Sequence, residues 1–153
     1  MTPFIKKKET KKDWYVINAE NAAVGRLASY ISMVLRGKNK STFNPHIDNG
    51  DFVIVTNIDK IKFSGKKFKE KKYYRHTGYP GGIKESTPLS LKEKDKTQDI
   101  LKLAVKRMLP SGPLAKKQLT KLKIYKGETH PHEMQKPKVI NFEKLNKRNL
   151  VRV

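Results

Sequence analysis

Between Trp14 and Asn57 the spacing of apolar residues changes period twice. "WYVINA" (residues 14–19) is a short run of aromatic and β-branched residues and predicts a first strand. In "VGRLASYISMVLRGK" (residues 24–38) the apolar positions Leu27, Ile31, Val34 and Leu35 recur at i, i+4, i+7 and i+8, one face of a helix. Gly37 stands where a helix stops, and Arg36 and Lys38 suit the negative end of its dipole. "KSTFNPHIDNG" (residues 40–50) is turn chemistry. "DFVIVTN" (residues 51–57) is an almost unbroken apolar run, as expected of a strand covered on both sheet faces. Strand, helix and strand within about forty residues make a βαβ unit, hence an α/β fold with parallel pairing.

Beyond Asn57 the pattern weakens. "KIKFSG" (residues 60–65) predicts a short third strand ending in a turn, and "KKFKEKK" leads on to "YYRHTGYPGGIKE" (residues 73–85). Pro80-Gly81-Gly82 would break a helix there, and the run alternates too poorly for a half-buried strand, so it reads as a loop. "STPLSLKEKDKTQ" is polar, a mixture of turn and solvated helix. "TQDILKLAVKRML" (residues 97–109) predicts a helix with Thr97 as N-cap and Asp99 in its first turn. Its apolar face is Ile100, Leu101, Ala104, Val105 and Met108, and Pro110 stops it. Ser111–Leu119 predicts a second short helix with Leu114 and Leu119 turned inward, and "LKIYKG" (residues 122–127) a last strand. The remainder is turn-rich and then basic.

Charge changes the picture more than composition does. The chain has 153 residues, enough for one domain with a real core, yet 36% are hydrophobic and 8% aromatic. Lys and Arg number 35 against 14 Asp and Glu, a net charge of +21. Self-repulsion at that charge disfavours a compact state, and a polyanionic partner removes the cost. A membrane surface matches less well, because no long apolar run exists and no basic amphipathic helix dominates. The absence of cysteine excludes disulfides, thiolate metal sites and Cys nucleophiles. "MTPFIKKKETKKDW" lacks the apolar centre of a secretory signal. Arg26 is the first arginine and Glu9 and Asp13 intervene, unlike a transit peptide. Its first dozen residues read as a lysine tail, solvated or touching RNA.

The basic residues are segregated. No acid occurs from Asn21 to Ile47, which holds Arg26, Arg36, Lys38 and Lys40. None occurs from Ile100 to Gly127, which holds Lys102, Lys106, Arg107, Lys116, Lys117, Lys121, Lys123 and Lys126. Phosphates between such lysines would relieve their repulsion and release counterions. In the loop, Tyr74 and Tyr79 can stack on unpaired bases, Arg75 can fork onto a phosphate and His76 can donate to one. Gly81 and Gly82 allow close backbone approach. Tyr73 is equally suited to anchoring the loop on the core edge. His130 and His132, in "HPH", lack the further ligands zinc wants and read as turn-capping or RNA-contacting residues. "HIDNGD" (residues 46–51) sets Asp48 and Asp51 near His46. A nuclease can hold a cation that way, and an ordinary turn before a strand has the same composition. Gly-x-Gly-x-x-Gly, a Gly-Lys-Ser/Thr phosphate loop and a Gly-x-Ser-x-Gly elbow are all absent.

The stretches "WYVINAENAAVGRLAS", "LRGKNKSTFNPHIDNGDFVIVTN", "YYRHTGYPGG", "AVKRMLP" and "LKIYKGETHPHEMQKP" occur in order between Trp14 and Pro137. Together they resemble the large-subunit ribosomal protein thirteen family in its bacterial and organellar form. The resemblance implies a three-layer α/β/α domain around a small, mostly parallel four-stranded sheet. It implies no catalysis, cofactor, metal or small-molecule substrate. The implied partners are large-subunit ribosomal RNA, bound early in assembly, and neighbouring ribosomal proteins, in a cytoplasmic bacterial ribosome rather than an organellar one. It carries onto this chain, as RNA contacts, Arg36, Lys38 and His46, then Tyr74, Arg75, His76, Thr77, Gly78, Tyr79, Gly81 and Gly82, and His130 and His132. The segregated lysines Lys40, Lys116, Lys117, Lys121 and Lys123 join them as phosphate partners.

Two departures stand out. Asn18 replaces a usual Asp, and Ala115-Lys116 stands in a stretch that commonly carries Leu-Gly-Arg. Lysine there keeps the charge and loses the planar fork. The expected division is a basic tail over residues 1–12, an RNA-binding domain over 13–137 and a basic extension over 138–153. A cation-dependent nuclease built on Asp48, Asp51 and a histidine, and an RNA-binding regulator outside the ribosome, are the alternatives.

Overall fold

In the computed structural model, which describes residues 10–151, strand β1 (Trp14–Asn18) is followed by helix α1 (Val24–Arg36) and strand β2 (Phe52–Thr56). The two strands pair in parallel, Trp14 opposite Phe52 through Asn18 opposite Thr56, which completes the βαβ unit. Helix α1 forms on the predicted stripe: Val24, Leu27, Ala28, Ile31, Val34 and Leu35 are all buried. It ends at Gly37, whose φ is +77°. The Gly37 and Lys38 amides return to the carbonyls of Val34 and Met33 at 3.0 Å each, a closure that a left-handed residue makes cheap. Gly50 lies against the same turn. A Cβ added there would collide with the Leu35 carbonyl, so glycine lets the chain enter β2 directly beneath the helix end.

Four further strands and five further helices build the rest of the described residues. They are α2 (Lys67–Glu70), β3 (Tyr73–His76), β4 (Ile83–Ser86), α3 (Pro88–Glu93), α4 (Thr97–Met108), α5 (Pro113–Leu119), β5 (Leu122–Ile124), β6 (Lys138–Ile140) and α6 (Phe142–Leu145). The main sheet has the order β5-β2-β1-β6, and all its pairings are parallel. Its core face carries Ile17, Val53 and Val55, on which α1 and α4 pack through Leu27, Ile31, Leu35, Leu101 and Val105. Each such side chain contributes about 1.5–3 kcal/mol by leaving water. The alternating residues point to the other face. There Trp14 stacks on Phe52 with ring centroids 4.2 Å apart, and His132 tilts against Trp14 at 5.1 Å. That second layer is an irregular segment with one 3-10 turn (Glu133–Gln135) rather than a long helix.

Several expectations from the sequence are corrected. Residues 60–65 form no strand: a 3-10 turn (Ile58–Lys60) is followed by a single bridge from Lys62 to Ala23. Thr97 is not a cap. Its residue is buried inside the first turn of α4, and Lys96 holds the cap position without a side-chain bond. In α5 the buried residues are Ala115 and Gln118; Leu119 packs half-buried against the core, and Leu114 is only partly covered. Lys138–Ile140, expected in a C-terminal extension, is the fourth strand of the sheet, and Phe142 beyond it enters the core. The expected tail over residues 1–12 lies outside the described residues except for its last three.

Candidate nucleic-acid interface

The stretch read as a loop is a β-hairpin. Strands β3 and β4 pair antiparallel, with Tyr73 opposite Ser86, Tyr74 opposite Glu85, Arg75 opposite Lys84 and His76 opposite Ile83. The period-2 apolar signal is missing because only Tyr73, at its root, is buried. Tyr73 lies under two cations, Lys71 Nζ at 5.4 Å and Arg107 Cζ at 5.6 Å from its ring centre. Burial pushes its hydroxyl above the usual range, and Arg107 pulls the other way. Tyr73 therefore anchors the hairpin.

Everything beyond the root faces outward. Tyr74 and Tyr79 are 58% and 76% exposed, and Arg75, His76, Thr77, Gly78 and Gly81 are exposed as well. The tip is nonetheless held. The Thr77 amide donates to the Gly82 carbonyl and the Gly82 amide to the Tyr79 carbonyl, both at 2.9 Å. Gly78 and Gly81 adopt φ of +95° and +70°. A Cβ at Gly82 would meet the Thr77 hydroxyl and, at 2.8 Å, the Tyr79 carbonyl. The Gly78 amide also donates to His76 Nδ1 at 2.9 Å. The neutral ring then carries its proton on Nε2, which is left as an outward donor. Two tyrosine faces, one guanidinium and one imidazole N–H are thus displayed on a braced tip, an arrangement that can stack on bases and donate to phosphates.

The other candidate residues do not gather at this tip. Arg36, Lys38, Lys40 and His46 lie around the far end of α1, with Arg36 over the Phe43 ring at 5.9 Å and Lys38 and His46 exposed. A 13-residue helix separates them from its first turn, roughly 20 Å. Lys116 and Lys117 are exposed on α5, and Lys123 is half-buried on β5. His130 is half-buried and accepts the His132 amide on Nδ1 at 3.2 Å. His132 shares a 2.8 Å hydrogen bond between its Nε2 and the Tyr125 hydroxyl and packs on Trp14. That occupancy makes His132 a packing residue of the second sheet layer rather than an open contact.

Two of the expected phosphate partners are spent inside the protein. Lys121 is 4% exposed; it pairs with Asp48 and donates to the Gly50 carbonyl at 3.0 Å. Lys40 reaches Asp51 Oδ1 at 2.5 Å and the Lys11 carbonyl at 2.8 Å. Neither ammonium is free for a phosphate. The same network disposes of the nuclease alternative. Asp51 has no exposed surface and also accepts the Asp13 amide at 2.9 Å, and Asp48 is held by Lys121 and, at 2.9 Å, by Lys12. Burial works against the Asp48 carboxylate, but the hydrogen bonds from Lys121 and Lys12 outweigh it and keep its pKa below the ordinary value. Lys121 is drawn below the ordinary ammonium range by desolvation, which Asp48 only partly offsets. These carboxylates are structural counterions. No helix among the described residues is long and apolar enough to cross a membrane.

Comparison with known proteins settles the lineage. The family model described as ribosomal protein L13 matches residues 12–131. The chain belongs to the ribosomal protein L13 family. The large ribosomal subunit protein uL13 of Neorickettsia sennetsu is 51% identical over 148 residues, 97% of either chain. That of Thermosipho africanus is 55% identical over 141 residues, covering 92% of this chain and 94% of its own. That of Agrobacterium fabrum is 48% identical over 151 residues, 98% of either chain. Membership makes this a structural ribosomal protein, not an enzyme. The family match stops at 131, short of β6 and α6, although the alignments to these relatives cover nearly the whole chain. One group was missed in reading the sequence: Arg26, Lys67, Lys71 and Arg107 line one cleft, and the last two also lie over the Tyr73 ring, though no local spacing links them.

Proposed function

We propose that this protein is a constituent of the large ribosomal subunit in the bacterial cytoplasm, where it binds large-subunit ribosomal RNA early in assembly and holds separate RNA segments in place. The observation that carries this reading is the hairpin: an exposed Tyr74–Arg75–His76–Tyr79 display, braced by its own backbone and anchored through Tyr73, on a chain of net charge +21. Aromatic faces and fixed donors on a rigid tip suit irregular RNA, which is discriminated by shape and unpaired bases. The exposed cations at the far end of α1 and on α5 are too widely spaced for one small ligand and suit phosphates along a folded RNA surface. The relatives' name, large ribosomal subunit protein, points the same way. Arg36, Lys38, His46, Lys116, Lys117, Lys123 and His130 complete the proposed contact set, and neighbouring ribosomal proteins are the further partners.

Gradient sedimentation of cell extract tests the reading. The protein is expected to travel with large subunits and their precursors and to stay with them through a moderate salt wash. Migration in the light fractions, free of ribosomal particles, would favour the extraribosomal regulator instead.

A further inference from the structure

A cleft of about 580 Å³ opens at the carboxyl ends of β1, β2 and β6, but it is lined by Glu20, Glu128 and Glu143 with nothing in it that selects an occupant. A second cleft, of about 560 Å³, lies between the first turn of α1, helix α2 and the last turn of α4. Its wall carries Arg26, Lys67, Lys71 and Arg107, with Phe63 and Met108 as its apolar side. All four cations are exposed, and none forms an ion pair with an acid among the described residues. Seven other lysines of the same protein do find carboxylates. The unpaired four are therefore not a consequence of acids being too few to reach anything. Lys71 and Arg107 converge on one Tyr73 ring, so two like charges share one aromatic neighbour and neither has an acid partner among the described residues.

We infer that this cleft is a phosphodiester-binding site for an RNA strand, contiguous with the root of the hairpin and separate from its tip. Four cations around one concave surface cost repulsion in the free protein, and phosphates seated among them would reverse its sign. Phe63, half-buried beside them, offers a face for a ribose or base. Helix α1 has neither an acid in its first turn nor a side-chain cap, so the helix itself supplies no competitor for a phosphate at that mouth of the cleft. Since two of the cleft's cations, Lys71 and Arg107, lie over the Tyr73 ring at the hairpin root, the RNA that meets the tip and the RNA that fills the cleft bear on one braced element. An acidic protein segment would also be attracted, but the contacts of Lys71 and Arg107 with Tyr73 tie the cleft to the RNA-facing hairpin. This inference depends on the RNA-binding reading above.

The test is the salt dependence of binding of the full chain to an in vitro transcript of bacterial large-subunit ribosomal RNA. The double variant Arg26→Gln/Lys67→Gln leaves the cations over Tyr73 in place. Its log–log salt slope is expected to be shallower than wild type by about 1.5, two lost phosphate contacts. Arg26→Lys/Lys67→Arg, which keeps the charge, is expected to keep the slope. Matching urea midpoints confirm folding, and the single Lys67→Gln, on an exposed site of a one-turn helix, is expected to give half the change. Wild-type binding with an unchanged slope in the Gln variants would overturn the cleft and leave the hairpin reading standing. A wild-type chain that does not bind the transcript would overturn both.

Discussion

Lys121, buried at the start of β5, is ion-paired with Asp48 in the turn that precedes β2. Its ammonium also closes on the Gly50 carbonyl, so one lysine ties the entry of β2 to the entry of β5. Lys121→Met should therefore act on stability rather than on RNA affinity. Removing it strands the Gly50 carbonyl and weakens the compensation of Asp48, a loss of about 2–3 kcal/mol, below the usual cost of a broken buried pair because Lys12 remains. Urea unfolding reads this. Lys116→Ala/Lys117→Ala, on exposed sites, should leave the urea midpoint in place and make RNA binding less salt-sensitive.

The Asp48 carboxyl gives the fold an acid limit. Its pKa is depressed in the folded state, because the hydrogen bonds from Lys121 and Lys12 prevail over burial. A depressed carboxyl stabilises the fold fully above its unfolded value, near about 3.9, and that contribution is lost as pH falls through the lower folded value. The urea midpoint should fall between about pH 5 and about pH 3. Asp48→Asn should start lower at neutral pH and lose less over that interval.

Two glycines separate the fold from the interface. A Cβ at Gly50 meets the Leu35 backbone carbonyl, which cannot swing aside, so Gly50→Ala should destabilise the whole domain by about 3 kcal/mol or more. At Gly82 the Cβ meets a rotatable Thr77 hydroxyl and the Tyr79 carbonyl at 2.8 Å. Gly82→Ala should open the hairpin tip and weaken RNA binding while the unfolding free energy from urea titration stays within about 0.5 kcal/mol of wild type. Equal loss of stability in both variants would contradict this division.

The βαβ unit was legible because its signals are local: an apolar run in β2, a four-residue stripe in α1, and Gly37 at its end. What escaped local reading depends on contacts distant in sequence. Strand β6 is three residues long and pairs with β1 some 120 positions earlier, Tyr15 opposite Lys138, so no nearby pattern announces it. The hairpin strands carry polar residues on both faces and are held by pairing and the single anchor Tyr73, which removes the alternation that marks a strand. Lys121 sits in a basic run that looks solvated, and its burial follows from where Asp48 lands in space. The family resemblance pointed to Tyr74–Gly82 as the contact group, and the sequence left Tyr73 open between stacking and anchoring; its burial, against the exposure of Tyr74 and Tyr79, makes it the anchor.

The claim on which the rest stands is that the hairpin display, and not net charge alone, engages ribosomal RNA. The direct measurement is the affinity of Arg75→Ala/Tyr79→Ala for the large-subunit ribosomal RNA transcript at fixed salt, set against Lys6→Ala/Lys7→Ala in the N-terminal lysine run. Both residues of the first variant are exposed, so the fold should be unaffected. The account predicts at least a tenfold loss, about 1.4 kcal/mol, for the hairpin variant and a much smaller, salt-suppressed loss for the tail variant. Equal losses in the two variants, or none in the hairpin variant, would contradict it.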